Sequence, residues 1–135
     1  MKILLICSKV FYSKLWYYKS ELERLGHCIH LPNCWNCPET EAKYRGTTKH
    51  SKWKASMIKH SEEVIKNMDA VLVLNFEKNG IKNYIGGATF LEIYDAFRLN
   101  KQIYFVNDIP EGMLKDELIG FNPIIIYNDL TLIKK

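Results

Sequence analysis

Five short runs of apolar, β-favouring residues recur along this chain with helix-patterned segments between them: "KILLIC" (2–7), "CIHL" (28–31), "AVLVLN" (70–75), "QIYFV" (102–106) and "PIIIY" (123–127). The first and third are apolar on both faces, which suits strands sandwiched between layers rather than strands with one wet side. Between the runs lie amphipathic stretches. Leu15, Tyr18, Leu22 and Leu25 share one helical face closed by Gly26, and Trp53, Met57, Ser61, Val64, Ile65 and Met68 share another. A third helix is expected from near Thr89 to near Asn100, and "EGMLKDELI" forms a fourth.

Strand and helix in alternation predict right-handed crossovers and a parallel sheet covered on both sides. The predicted fold is α/β, a flavodoxin-like (Rossmann-like) three-layer sandwich with a five-stranded sheet in the order 2-1-3-4-5, and residues 1–135 read as one domain. Residues 32–50 carry no period and read as a long loop.

The 135 residues suffice for one core, and 47% hydrophobic with 25% charged residues is an ordinary globular composition. No apolar run approaches the roughly 18 residues of a membrane span, and "MKILLIC" is too short for a secretory h-region. A cytoplasmic location follows as an expectation, with Cys7, Cys28, Cys34 and Cys37 as reduced thiols.

Several function classes fall away. There is no phosphate-loop GKS/T motif and no Gly-x-Gly-x-x-Gly after the first strand, which argues against an ATPase or a dehydrogenase. The first strand lacks the acidic cluster of a response regulator. No cofactor is expected. Cys34-x-x-Cys37 has zinc-ligand spacing, with His27, Cys28 and His30 upstream, but one pair without a second is insufficient and no metal is expected. Lys43, Arg45, Lys49, Lys52, Lys54 and Lys59 stand in a stretch without acids; a solvated helix face explains them better than nucleic acid, because Trp53 belongs to the apolar face.

In a sheet of this order, ligands bind beyond the carboxyl ends of the strands where the order reverses. That rule selects Ser8 and Lys9 after the first strand, Asn75 to Glu77 after the third, and Asn107 and Asp108 after the fourth. It also draws attention to "NYIGGATFLEIYDAF" (83–97). Gly86 and Gly87 allow close backbone approach, and free amides at a helix start favour an anion. Thr89-x-x-Glu92 fits a capping box, while a helical wheel puts Glu92 at the margin of an apolar arc of Phe90, Ile93, Tyr94 and Phe97. Asp95 and Arg98 read as a surface pair.

Taken together, "ICS", "LERLGH", "MDAVLVLN", "YIGGATFLEIYDAF", "KQIYFVNDIPE" and "NPIII" resemble the nucleoside 2-deoxyribosyltransferase-like superfamily, including its deoxynucleoside 5'-monophosphate N-glycosidases. The resemblance implies cleavage or transfer at the N-glycosidic bond of a nucleoside or nucleotide, with Glu92 as nucleophile and a homodimer or larger oligomer. The alternative is a non-catalytic nucleotide-binding protein of the same fold. By the same likeness Glu77 is the candidate proton donor, and Tyr84 contacts sugar or base. Ser8, matching a serine of relatives, donates to phosphate or sugar. Lys9, Asn75, Gly86, Gly87 and Thr89 complete the expected binding set. Tyr94 stands where the family often has glycine, a departure that narrows the pocket.

Overall fold

The structure is a computed structural model and describes every residue except 34, 37, 38 and 135. The expected Cys34 and Cys37 therefore lie outside the described residues. Five parallel strands, β1 (Lys2–Ile6), β2 (Cys28–His30), β3 (Ala70–Val73), β4 (Gln102–Phe105) and β5 (Ile124–Ile125), form one sheet in the order β2-β1-β3-β4-β5. Ile3 pairs with Ile29 on one side and Ala70 on the other, and Val73 lies between Ile6 and Phe105. This is the flavodoxin-like arrangement expected from the sequence.

Alternation along each strand divides the core in two. On one face Ile3, Leu5, Leu72 and Tyr104 pack against Leu15, Tyr18 and Leu22 of α1 (Leu15–Arg24) and against Leu130 and Ile133 near the C-terminus. On the other, Leu4, Ile6, Val71, Val73 and Phe105 meet three helices. These are α3 (His50–Lys66) through Ile65, with Met68 just beyond its end, α4 (Gly87–Arg98) through Ile93 and Ala96, and α5 (Lys115–Gly120) through Leu118. Each fully buried Leu or Ile contributes roughly 1.5–3 kcal/mol relative to exposure, so both layers are needed to hold the sheet.

Three local readings change. The loop expected over residues 32–50 contains a further helix, α2 (Glu39–Tyr44), and α3 begins within its last residue. A 3-10 helix, Lys9–Lys14, precedes α1. Helix α4 starts earlier than expected: Gly86 is its N-cap and no side chain caps it, so Thr89 and Glu92 do not form a capping box. The wheel was also rotated. Thr89, Ile93, Asp95 and Ala96 are buried, whereas Tyr94 and Phe97 are exposed, because α4 turns one flank toward α3 and stacks its aromatic side on Phe121.

Among the described residues no helix is long and apolar enough to cross a membrane.

Candidate functional site

Beyond the carboxyl ends of β1 and β3, where the strand order reverses, α3 and α4 diverge around a cavity of about 360 Å³. That volume suits a small organic ligand. The strand ends deliver Cys7, Ser8 and Lys9 to its floor and side, and the loop into α4 delivers Tyr84, Gly86 and Gly87. From α3 come Trp53, Met57 and Ser61; from α4, Thr89, Glu92 and Asp95.

Glu92 is the acid on the cavity lining that burial perturbs most clearly. It sits in the second turn of α4, keeps only partial solvent contact, and lines the cavity. Desolvation pushes its carboxyl up to about 7, against a hydrogen bond from Ser61 that lowers it, while the negative charge of Asp95 adds to the rise. Asp95 itself is raised, first by burial and then by Glu62, with Arg98 opposing. Beneath, the Cys7 thiol is pushed up to about 12 by burial and by Glu92, which makes it an inert wall rather than a nucleophile.

Ser61 is held in turn. The Asn33 side-chain amide donates to Ser61 Oγ at 2.7 Å and to the Met57 carbonyl at 3.1 Å. The mouth is ionic. Glu41 of α2 accepts from Arg45 (3.1 Å) and lies 3.3 Å from His50 Nε2 and 3.4 Å from Lys54 Nζ. Burial would raise Glu41, but His50, Lys54 and Arg45 together hold it below the usual carboxylate value. Lys78 also lines the cavity, its ammonium 4.5 Å from the centre of the Tyr84 ring.

The structure brings together Ser8, Lys9, Tyr84, Gly86, Gly87, Thr89 and Glu92 from the sequence-derived set. It places two others elsewhere. Glu77 is exposed and outside the cavity lining, because the chain after β3 turns outward before α4 begins. Asn75 is fully buried and structural: its amide donates to the carbonyls of Asn107 and Asp108, its Oδ1 accepts from the Asn107 amide N–H, and Asn107 Nδ2 donates back to its carbonyl. Gly86 also has a local reason, since a Cβ there would stand 3.3 Å from the Tyr84 hydroxyl, whereas Gly87 faces open space.

Asp95, Ser61, Asn33 and Glu41 were missed as site residues. Ser61 carried a signal, a polar side chain at an apolar helical position. The burial of Asp95 and the reach of Asn33 and Glu41 depend on tertiary placement and left none.

No protein-family model matches the sequence, and no curated protein matches it. Among solved structures, the chain is similar to the FerB flavoenzyme NAD(P)H:(acceptor) oxidoreductase of Paracoccus denitrificans, with a TM-score of 0.50 and 15% identity over 93% of this chain and 74% of that one. Likeness at this identity concerns the fold.

These findings correct the sequence reading. The nucleoside 2-deoxyribosyltransferase-like assignment has no family or curated match behind it, and the similar structure carries a different chemistry in its name. N-glycosidic cleavage or transfer and the nucleotide-binding alternative fall with it. The physical reason is that the motifs quoted for the likeness are largely what this topology requires. Apolar strands, a glycine-bearing turn into α4 and a carboxylate beside the switch point serve many chemistries on one fold.

Proposed function

We propose that this protein is an acid–base enzyme acting on a small polar molecule with an anionic group, with Glu92 as the proton-transferring residue. The observation that carries this reading is a carboxyl on the cavity wall brought to about 7 by burial. An acid with a value near the working pH is populated in both forms, which is where general acid and base catalysis is most efficient. The anionic preference is supported by Lys9, Arg45, Lys54 and Lys78 around the cavity and by the first-turn amides of α4. Trp53, Tyr84 and Met57 supply apolar walls for the remainder of the ligand. Free thiols at Cys7 and Cys28 suit a reducing, cytoplasmic setting.

The flavin in the neighbour's name does not fit the loop after β1. A mononucleotide phosphate in such a fold is wrapped by an open, glycine-bearing βα turn. Here the first glycine is Gly26, and residues Lys9–Lys14 are wound into a 3-10 helix in which the Phe11 N–H already donates to the Ser8 carbonyl. The reading therefore rests on this chain's own side chains.

Binding and chemistry are tested together by incubating wild type and Glu92→Gln with a panel of small carboxylates and phosphate esters in D2O, with flavin mononucleotide as a further probe. Ligand binding is followed by thermal shift and deuterium incorporation by NMR. The expected result is at least one anionic ligand that stabilises both proteins and gains carbon-bound deuterium only with wild type. Exchange that is equal in the two proteins, or saturable binding of the flavin alone, overturns the reading.

A further inference from the structure

We infer that the ligand's anionic group is a phosphate monoester, held by Lys78 and Tyr84, which a closed Asn79-Gly80 hairpin brings to the cavity wall. This rests on the reading of the same cavity as an enzyme site for an anionic molecule.

The hairpin follows from its two central residues. Asn79 and Gly80 both have positive φ, 49° and 81°, as a two-residue hairpin loop of this composition requires. Lys78 and Ile81 then pair antiparallel, exchanging N–H···O bonds of 3.0 and 2.9 Å. A further bond of 2.8 Å, from the Tyr84 N–H to the Phe76 carbonyl, closes the segment at its foot. Phe76 meets Phe11 edge-on at 5.6 Å, and both Phe76 and Tyr84 pack against the α1 side of the core. The Lys78 ammonium is thereby held 4.5 Å from the centre of the Tyr84 ring. That ring lies on Gly86, where a Cβ would stand 3.3 Å from the Tyr84 hydroxyl.

Among the described residues Lys9, Arg45, Lys54 and Lys78 line the cavity, and they are not equivalent. Lys9, Arg45 and Lys54 are exposed, and the last two are engaged by Glu41 at 3.1 and 3.4 Å. Lys78 is half-buried, and no carboxylate among the described residues pairs with it. The Tyr84 hydroxyl likewise has no hydrogen-bond partner among them. An ammonium partly withdrawn from water attracts an anion more strongly than one fully screened, and the neighbouring hydroxyl adds a second donor on the same wall.

The chemistry of the donors selects the anion. A planar carboxylate is best matched by the two-pronged guanidinium, and the Arg45 guanidinium already donates to Glu41. An ammonium acts as a point charge with three hydrogens, which suits a phosphate whose charge is spread over its terminal oxygens. Trp53, Met57 and the Tyr84 ring offer apolar wall to an organic remainder, which an ester has and inorganic phosphate lacks. Lys78 and Tyr84 are binding residues, and proton transfer stays with Glu92.

Isothermal titration calorimetry of the full chain with phenyl phosphate, benzoate and inorganic phosphate reads the preference. Phenyl phosphate should bind at least about tenfold more tightly than either of the others. Lys78→Met keeps the stem and removes the charge, and should weaken phenyl phosphate by at least about tenfold, as loss of a hydrogen bond to a charged group implies. Tyr84→Phe keeps the ring and should weaken it about threefold to tenfold. Lys82→Met removes the same charge from the end of the same hairpin, but from an exposed residue that lines a separate groove, and should stay within about twofold. No saturable binding of phenyl phosphate by wild type, equal affinity for benzoate or inorganic phosphate, an unchanged affinity in Lys78→Met, or an equal loss in Lys82→Met overturns the inference. Should Lys78-dependent binding appear while the D2O panel shows no Glu92-dependent exchange, the acid–base reading fails and the phosphate site stands.

Discussion

Replacing Glu92 by glutamine should make the protein more stable at neutral and alkaline pH, although the residue lies in the heart of the site. In the unfolded chain this carboxyl titrates near 4.5, and in the folded protein near 7. Below pH 4.5 both states hold the proton and the residue has no destabilising effect. Between the two values the unfolded chain releases its proton while the folded protein keeps it, so stability falls as pH rises, and above 7 the full cost is present. At 1.36 kcal/mol per pH unit the gap corresponds to roughly 3 kcal/mol. Glutamine has nearly the same shape and no charge, so that slope should vanish. Glu41 remains in both proteins, and its own pH dependence cancels in the difference, while loss of the Glu92 charge also relieves Asp95 and adds in the same direction. Urea unfolding of wild type and Glu92→Gln at steps from pH 4 to 8.5 reads the effect directly. Relative to their difference at pH 4, the variant should gain up to roughly 3 kcal/mol at pH 8, equivalent to about 10 °C in melting temperature. Parallel stability curves across that range would refute the claim that burial controls this carboxyl.

Two further outcomes follow from neighbouring residues. Asn75→Ala should cost about 2–4 kcal/mol in urea unfolding with no change in slope, because it removes bonds between the β3 and β4 ends and leaves the half-buried Asn107 N–H without its partner. In native protein, iodoacetamide should label exposed Cys28 well before Cys7, whose thiol is buried and pushed up to about 12; peptide mass mapping over time, with denatured protein as reference, reads the ratio.

The sheet was legible because its strands are buried on both faces. Ile3 to Ile6 and Val71 to Val73 have no polar alternative, and four helix patterns between five runs leave few topologies. Of the residues the switch-point rule selected, Ser8 and Lys9 line the cavity together with the turn into α4, whereas Asn75 to Glu77, Asn107 and Asp108 do not. Boundaries were harder. The start of α4 moved to Gly87 because backbone geometry at Gly86, rather than a Thr89 side chain, ends the preceding turn. Asp95 looked like a surface partner of Arg98, and that pair exists at 3.6 Å, but the crossing of α3 over α4 also buries the carboxylate. Helix α2 carries no buried residue and hence no apolar period to read. The motif likeness failed for a related reason: sequence reports which residues a topology needs sooner than which reaction it hosts.

The interlocked amides of Asn75 and Asn107 have a mechanical consequence. They tie the tips of β3 and β4 together through bonds of 2.9 Å around the fully buried Asn75 side chain. On the cavity wall itself, Glu41 meets Arg45, Lys54 and the His50 ring on partly exposed side chains, contacts that exchange readily with dissolved ions. The strand ends are thus held by bonds around a buried side chain, whereas the contacts of α2 at the cavity should loosen as ionic strength rises.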